Sequence, residues 1–249
     1  MNRIEPDYEP WMDRARILQT EEQWRKWEYL RPLVRTLQSA RPTDRKMHLF
    51  TAACVRRLAG GPYLGENHWV VAALERQAEA ASPAAEDLPL AAALREVRER
   101  CTEVMGGMYW QASIDYPEQP ETDPWAVAWG TADAVIVAAA RQARLAAGQP
   151  DERPEVEERD AEEEPIRDLV RCVFGNPFRP AQLDPTWRTS TVIALAEGIY
   201  ADRAFDRLPI LADALEDAGC TDGAILDHCR QPGEHVRGCW VVDLVLGKI

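Results

Sequence analysis

The sequence predicts an all-α protein, with an N-terminal helical bundle joined by an acidic linker to a smaller helical C-terminal module. Three observations predict this class. Apolar residues recur at helical spacing along most of the chain, helix caps and breakers lie between those stretches, and the one strand-like segment has no strong partner strand elsewhere. The chain has 249 residues, of which 46% are hydrophobic, so it is long enough for one large or two small domains.

The helical bundle is assigned to residues 1–148, where we expect five helices. The first begins at a capping box that starts at Thr20, and Pro32 predicts a break or kink in its apolar stripe. The fifth begins where the N-cap Asp123 is followed by Pro124 at the first helical position. The second, third and fourth helices are expected to begin near Thr43, Asn67 and Leu88.

Residues 149–164 are the predicted acidic linker. Between residues 151 and 164 the chain carries nine acidic side chains, two arginines and almost no apolar residue. This composition is typical of a solvated linker or a frayed helix. The alternative is an acidic arm that binds a basic partner.

The C-terminal module is assigned to residues 165–249. Two prolines restrict the backbone of residues 175–180 (GNPFRP), so a fixed turn is expected there. The segment WVVDLVL, residues 240–246, is rich in β-branched residues, but its apolar residues also fit a buried helix, which we favour. Further helices are expected over about residues 165–174, 189–201, 205–218 and 222–230.

The net charge of the chain limits the classes of molecule that it is expected to bind. The formal net charge of −13 argues against duplex DNA or RNA, because phosphate binding requires a cationic face. No apolar run approaches the roughly 18 residues of a transmembrane helix, and the N-terminus lacks the apolar core of a signal peptide. We therefore expect a cytoplasmic protein that binds neither nucleic acid nor membranes.

The densest group of potential metal ligands lies near the C-terminus. Thiolates and imidazoles suit zinc, but no Cys-x2-Cys knuckle is present. We favour packing instead: Cys220 and Cys229 as small buried apolar residues, and His228 and His235 bonded to backbone or water, without a cofactor. The alternatives are a zinc site or a thiol nucleophile with His235 as its base, although no catalytic motif is recognised. The candidate zinc ligands are Cys220, Cys229, His235 and Cys239.

A non-enzymatic role as an interaction or scaffold module with a protein partner is the function we favour, because no catalytic set is visible. Loops with fixed turns present side chains rigidly, which points to Phe178 and Arg179 in one loop and to Arg237 and Trp240 in another. Arginine there is expected to pair with a carboxylate of the partner. The alternative is that these arginines bond to internal acids and hold the two parts of the chain together.

Two strings in the C-terminal part carry a resemblance to a family. FGNPFRP, residues 174–180, and HVRGCWVVDLVLGK, residues 235–248, resemble a large paralogous family of uncharacterised planctomycete proteins. The resemblance covers about residues 166–249, and residues 20–57 resemble the N-terminal portion of the same family. It implies no activity and no catalytic residues.

Overall fold

The computed structural model describes residues 17–26, 30–40, 42–59, 64, 66–80, 88–102, 124–149 and 156–248. Within these residues the chain forms eleven α-helices and no β-strand, which confirms the all-α prediction. None of the described helices is both long enough and apolar enough to cross a lipid bilayer. The helices are α1 (Glu21–Lys26), α2 (Leu30–Ala40), α3 (Asp44–Arg56), α4 (Trp69–Glu79), α5 (Leu88–Thr102), α6 (Pro124–Ala146), α7 (Val156–Phe174), α8 (Ser190–Asp202), α9 (Leu208–Asp217), α10 (Gly223–Arg230) and α11 (Trp240–Leu246).

Several helices begin where their caps predict. The hydroxyls of Thr20 and Thr43 accept hydrogen bonds from amides in the first turns of α1 and α3. Thr189 and Asp222 cap α8 and α10 in the same way. Each cap satisfies an amide that has no partner within the helix. The cap predicted at Asp123 lies outside the described residues.

Pro32 lies in the first turn of a helix rather than in a helix interior. It is the third residue of α2, which begins at Leu30. An amide in the first turn has no acceptor within the helix, so the amide that proline lacks costs α2 no hydrogen bond. This position requires no kink within α2, and the segment that was expected to break or kink near Pro32 forms two helices, α1 and α2.

An aromatic cluster at the centre of the N-terminal half links α3, α6 and α7. The ring centroid of Phe50 lies 4.8 Å from that of Trp129 and 5.5 Å from that of Phe174. Aromatic side chains bury large apolar areas, so such a cluster contributes strongly to the core. Trp69, by contrast, is 40% exposed at the start of α4.

Helix α7 contacts both halves of the protein. It packs against α2, α3 and α6, and it also contacts α11. Acidic residues near its middle bond to the N-terminal helices: Glu163 accepts from the backbone amide of Leu30 over 3.2 Å, and Glu162 pairs with Arg57 over 3.3 Å. The acidic segment is thus part of a helix from Val156 onward. The C-terminal end of this helix leads into the C-terminal part of the chain.

Buried ion pairs tie α3 and α4 to the C-terminal helices. Asp243 of α11 is buried and pairs with Arg45 at 2.7 Å and with Lys46 at 2.5 Å, both from α3. Glu75 of α4 is also buried and pairs with three arginines from α3, α8 and the loop before α11. A buried carboxylate is stable only when it is paired and hydrogen-bonded, so these contacts constrain how the helices pack. The arginines are Arg56, Arg203 and Arg237.

Candidate metal centre

Four side chains with metal-binding atoms converge in the C-terminal part of the protein. They come from the last turn of α7, the last turn of α10 and the loop between α10 and α11. Their ligand atoms all lie within 4.8 Å of one another. The four residues are Cys172, His228, His235 and Cys239.

The loop between α10 and α11 brings two of the four back toward α10. Its glycines Gly233 and Gly238 have φ angles of 139° and 91°, a region that glycine adopts without the steric cost of a side chain. The resulting turns place the ring of His235 edge-on to that of His228, with ring centroids 4.9 Å apart. Cys239 then lies at the start of α11, as its N-cap residue.

The spacing of the ligand atoms fits a tetrahedral metal ion. His228 Nε2 lies 3.3 Å from Cys239 Sγ, and His235 Nδ1 lies 3.5 Å from Cys172 Sγ. Zinc bonds of about 2.0 Å to nitrogen and about 2.3 Å to sulfur give tetrahedron edges of about 3.3–3.8 Å. Both nitrogen–sulfur distances fall in that range. The ligand atoms of the whole group lie within 4.8 Å of one another, so binding of an ion requires the more distant ones to approach by up to about 1 Å.

Gln231 contacts both histidines on the side away from the sulfurs. Its side-chain Nε2 lies 3.2 Å from His228 Nδ1, and its backbone carbonyl lies 3.5 Å from His235 Nε2. A histidine that binds a metal through one nitrogen donates the hydrogen of the other nitrogen to an acceptor. The carbonyl provides that acceptor for His235, and rotation of the Gln231 amide by a half turn provides it for His228 through Oε1.

The surroundings of the two sulfurs shift their thiol pKa values in opposite directions. A hydrogen bond to Cys239, together with burial, raises the pKa of the Cys172 thiol well above its ordinary value. Burial also raises the pKa of Cys239, but hydrogen bonds from the other three members of the group lower it by more, so it lies well below its ordinary value. Of the two sulfurs, Cys239 is therefore the one whose surroundings favour the thiolate, which is the form of cysteine that binds metal ions.

The charge of Cys239 acts on His235 in turn. Burial lowers the pKa of His235, but the hydrogen bond to Cys239 and the negative charge of that sulfur raise it by more. His235 is the half-buried member of the group, and the other three are buried. The group is therefore largely shielded from solvent.

Two of the four ligands predicted from the sequence lie outside this group. Cys220 and Cys229 are both buried, and burial raises the pKa of each thiol. Successive residues of a helix point about 100° apart. Cys229, which follows His228 in α10, therefore points in a different direction and is not a member of the group.

The group contains Cys172 and His228 in addition to the predicted His235 and Cys239. His228 was visible in the sequence beside Cys229 but was expected to bond to backbone or water. Cys172 precedes His235 by 63 positions, so no short ligand spacing includes it. The signal in the sequence that could have pointed to Cys172 was its position two residues before the FGNPFRP string.

The four residues predicted as an interaction surface lie in two places. Phe178 and Arg179 are exposed on the fixed turn. Trp240 and Arg179 both line a groove between this turn and α11. Arg237 instead donates to the carboxylate of Glu75 and to two backbone carbonyls at the end of α8. Arg237 thus bonds internally, as in the alternative considered for the arginines.

Comparisons of the chain with protein-family models, curated proteins and solved structures found no match. The assignment of the site therefore depends on the geometry and chemistry of its four side chains. Two thiols and two imidazoles form a donor set that binds zinc and other thiophilic metal ions in proteins.

Proposed function

We propose that the chain is a zinc-binding protein in which one Zn²⁺ links α7, α10 and the loop before α11. The observation that carries this proposal is the convergence of two sulfurs and two imidazole nitrogens within 4.8 Å. Tetrahedral structural zinc sites use this donor set. The hydrogen bonds that lower the pKa of the Cys239 thiol favour the thiolate, the form that binds a divalent cation.

The role of the zinc is structural rather than catalytic. A catalytic zinc site uses three protein ligands and keeps the fourth position for water or substrate. Here four side chains are available to fill the tetrahedron, and three of them are buried. The ion then stabilises the packing of α7 against α10 and α11.

Metal analysis of the purified full-length protein tests the proposal. We expect about one zinc per chain in the wild type and a large loss in Cys172→Ala and Cys239→Ala. The matched controls are Cys220→Ala and Cys229→Ala, which remove buried thiols outside the group and should retain zinc. A wild-type protein that binds no zinc, or equal loss in all four variants, contradicts the proposal.

X-ray absorption of the zinc-loaded protein tests the ligand set independently of mutation. We expect two sulfurs at about 2.3 Å and two nitrogens at about 2.0 Å from the metal. A shell with three or four sulfurs would show that another cysteine binds the ion.

We propose further that this zinc-stabilised fold is a non-enzymatic, cytoplasmic interaction or scaffold module with a protein partner. The supporting observation is the turn that carries Phe178, which is 36% exposed, and Arg179. The amide of Phe178 donates to Oδ1 of Asn176 over 3.0 Å, and the amide of Arg179 donates to the Asn176 carbonyl over 3.2 Å. Aromatic residues and arginine are enriched in protein interfaces. The free, buried cysteines are compatible with a reducing compartment.

Site-specific photo-crosslinking tests the interaction role. A photoreactive phenylalanine analogue at position 178 is expected to trap a specific partner in cells. The same analogue at Ile210, which is 54% exposed on α9 and outside the groove, is the matched control. Identical products from both positions, or none from either, would contradict a specific interface at this turn.

A further inference from the structure

A groove of about 690 Å³ lies between the start of α3, the end of α7 with its following turn, and α11. Its volume is within the range of sites that bind ligands or side chains of a partner. Part of its lining is apolar and only partly buried, so it can accept a bulky apolar side chain. These partly buried apolar residues, which we call the floor of the groove, are Phe174, Ala181, Trp240 and Leu244.

Three cations line the rim of the groove, Lys46, Arg179 and Lys248, together with the acids Asp222 and Asp243. Lys46 pairs with Asp243, and Lys248 pairs with Glu79 outside the groove. The side chain of Arg179 is 58% exposed, more than those of the two lysines, and its ion pair with Asp222 is long, at 3.9 Å. Arg179 is therefore the cation of this rim that is best placed to bind a further carboxylate.

The groove is held in shape from two sides. Gly175 has a φ of 66°, and a side chain there would lie 3.2 Å from the ring of Trp240. The other face of the groove is the turn held by Asn176. The Trp240 ring also packs on His228, with centroids 5.1 Å apart. A site that is already formed loses less conformational entropy when it binds.

We infer that this groove binds a short segment of a partner protein in which a bulky apolar side chain stands next to a carboxylate. The apolar side chain lies on the floor formed by Trp240 and Leu244. The carboxylate pairs with Arg179, whose planar guanidinium matches it with two parallel hydrogen bonds. A strongly acidic segment is disfavoured, because the negative charge of the whole protein repels it. The inference rests on the interaction role proposed above and not on zinc.

Fluorescence anisotropy with a labelled synthetic peptide tests the inference. The probe has one leucine next to one aspartate in neutral glycine and serine flanks. One control peptide has asparagine for the aspartate, and another has alanine for the leucine. The full-length wild-type protein is expected to bind the probe and to bind both controls more weakly.

Two charge-reversal variants locate the binding site. Arg179→Glu is expected to weaken probe binding by about tenfold or more, equivalent to about 1.4 kcal/mol. Arg207→Glu makes the same change at an exposed position outside the groove and should leave binding unchanged. Circular dichroism of both variants verifies that they fold.

The following results would contradict the inference. Equal loss in both variants indicates nonspecific attraction, and tight binding of the asparagine peptide shows that the carboxylate is not recognised. A wild-type protein that does not bind the probe also overturns it, whereas specific crosslinks from position 178 would still support the interaction role. Self-association of the wild type that Arg179→Glu abolishes would assign the groove to a second copy of this chain.

Discussion

The Nδ1 atom of His235 lies 3.5 Å from the Sγ atom of Cys172, although 63 positions separate the two residues in the chain. The contact joins the end of α7, which packs on N-terminal helices, to the loop before α11. A metal ion bound between these residues, as we propose, would link distant parts of the chain. Its binding free energy would then contribute to the stability of the fold.

Removal of zinc is expected to destabilise the wild-type protein. A ligand that binds only the folded chain raises the free energy of unfolding by about 4 kcal/mol when its free concentration is about 1,000 times its dissociation constant. Thermal unfolding with and without a chelator measures this difference. Cys172→Ala should show none, and an equal chelator effect in that variant would place the zinc elsewhere.

Gln231→Leu is expected to weaken zinc binding by about 10- to 100-fold, the usual effect of losing a residue that orients a ligand. Leucine cannot bond to His228 Nδ1, whereas the backbone carbonyl still accepts from His235. Competition with a chromogenic chelator measures the affinity. Gln182→Leu, at an exposed position of the same region, is the control. Equal affinities in the two variants would show that the Gln231 side chain does not orient His228.

Asp243→Asn is expected to lower the free energy of unfolding by about 3 kcal/mol, because breaking a buried ion pair by removing one partner is strongly destabilising. Lys46 and Arg45 both pair with this carboxylate, which is 3% exposed, and Arg45 keeps only its pair with Glu79. Urea unfolding measures the change. Glu22→Gln removes a carboxylate from an exposed pair with Lys26 and should have little effect. Similar losses in both variants would contradict the importance of burial.

Two glycine substitutions are expected to have opposite effects. Gly238 has a φ of 91°, and a side chain there would lie 3.1 Å from Leu49, so Gly238→Ala should cost about 1–3 kcal/mol in unfolding free energy. Gly198 lies within α8 with nothing within 4 Å of an added Cβ. Gly198→Ala should therefore stabilise the protein by about 0.5–1 kcal/mol. Chemical unfolding measures both changes, and the same sign in both would refute this explanation.

Glu79 is expected to stabilise the fold at neutral pH and less in acid. Burial raises its pKa, but hydrogen bonds from Lys248 and Tyr200 lower it by more, so the pKa lies below its ordinary value of 4.5. Because the folded pKa is below the unfolded one, this stabilisation is present above the unfolded pKa and is lost as pH falls through the folded pKa.

Unfolding of Glu79→Gln at a series of pH values measures this dependence. Its deficit in stability relative to the wild type should shrink between about pH 5 and about pH 3. Glu197→Gln, at an exposed position of α8, should follow the wild type throughout. A deficit that grows in acid would contradict the assigned direction of the pKa shift.

The helices were largely predictable from neighbouring residues. Helices begin near Thr43, Thr189 and Asp222, as expected, where these residues cap them, and the strand-like segment is the helix α11. Whether Pro32 would break or kink its helix was left open, because the effect of a proline depends on its place within a helix.

The candidate metal site was only partly predictable. The sequence identified His235 and Cys239 as potential ligands, because thiols and imidazoles close together in a chain are typical of metal sites. It could not identify Cys172, which belongs to a helix far upstream, nor decide that His228 rather than Cys229 faces the group.

The sequence by itself determined the helical class and most helix starts, because periodicity and capping act over a few residues. Only the tertiary structure decided which sulfurs meet which imidazoles and which arginines remain exposed. Those relationships depend on the packing of α7 against α11 and on the loop that follows α10, and contacts between residues distant in the chain determine both.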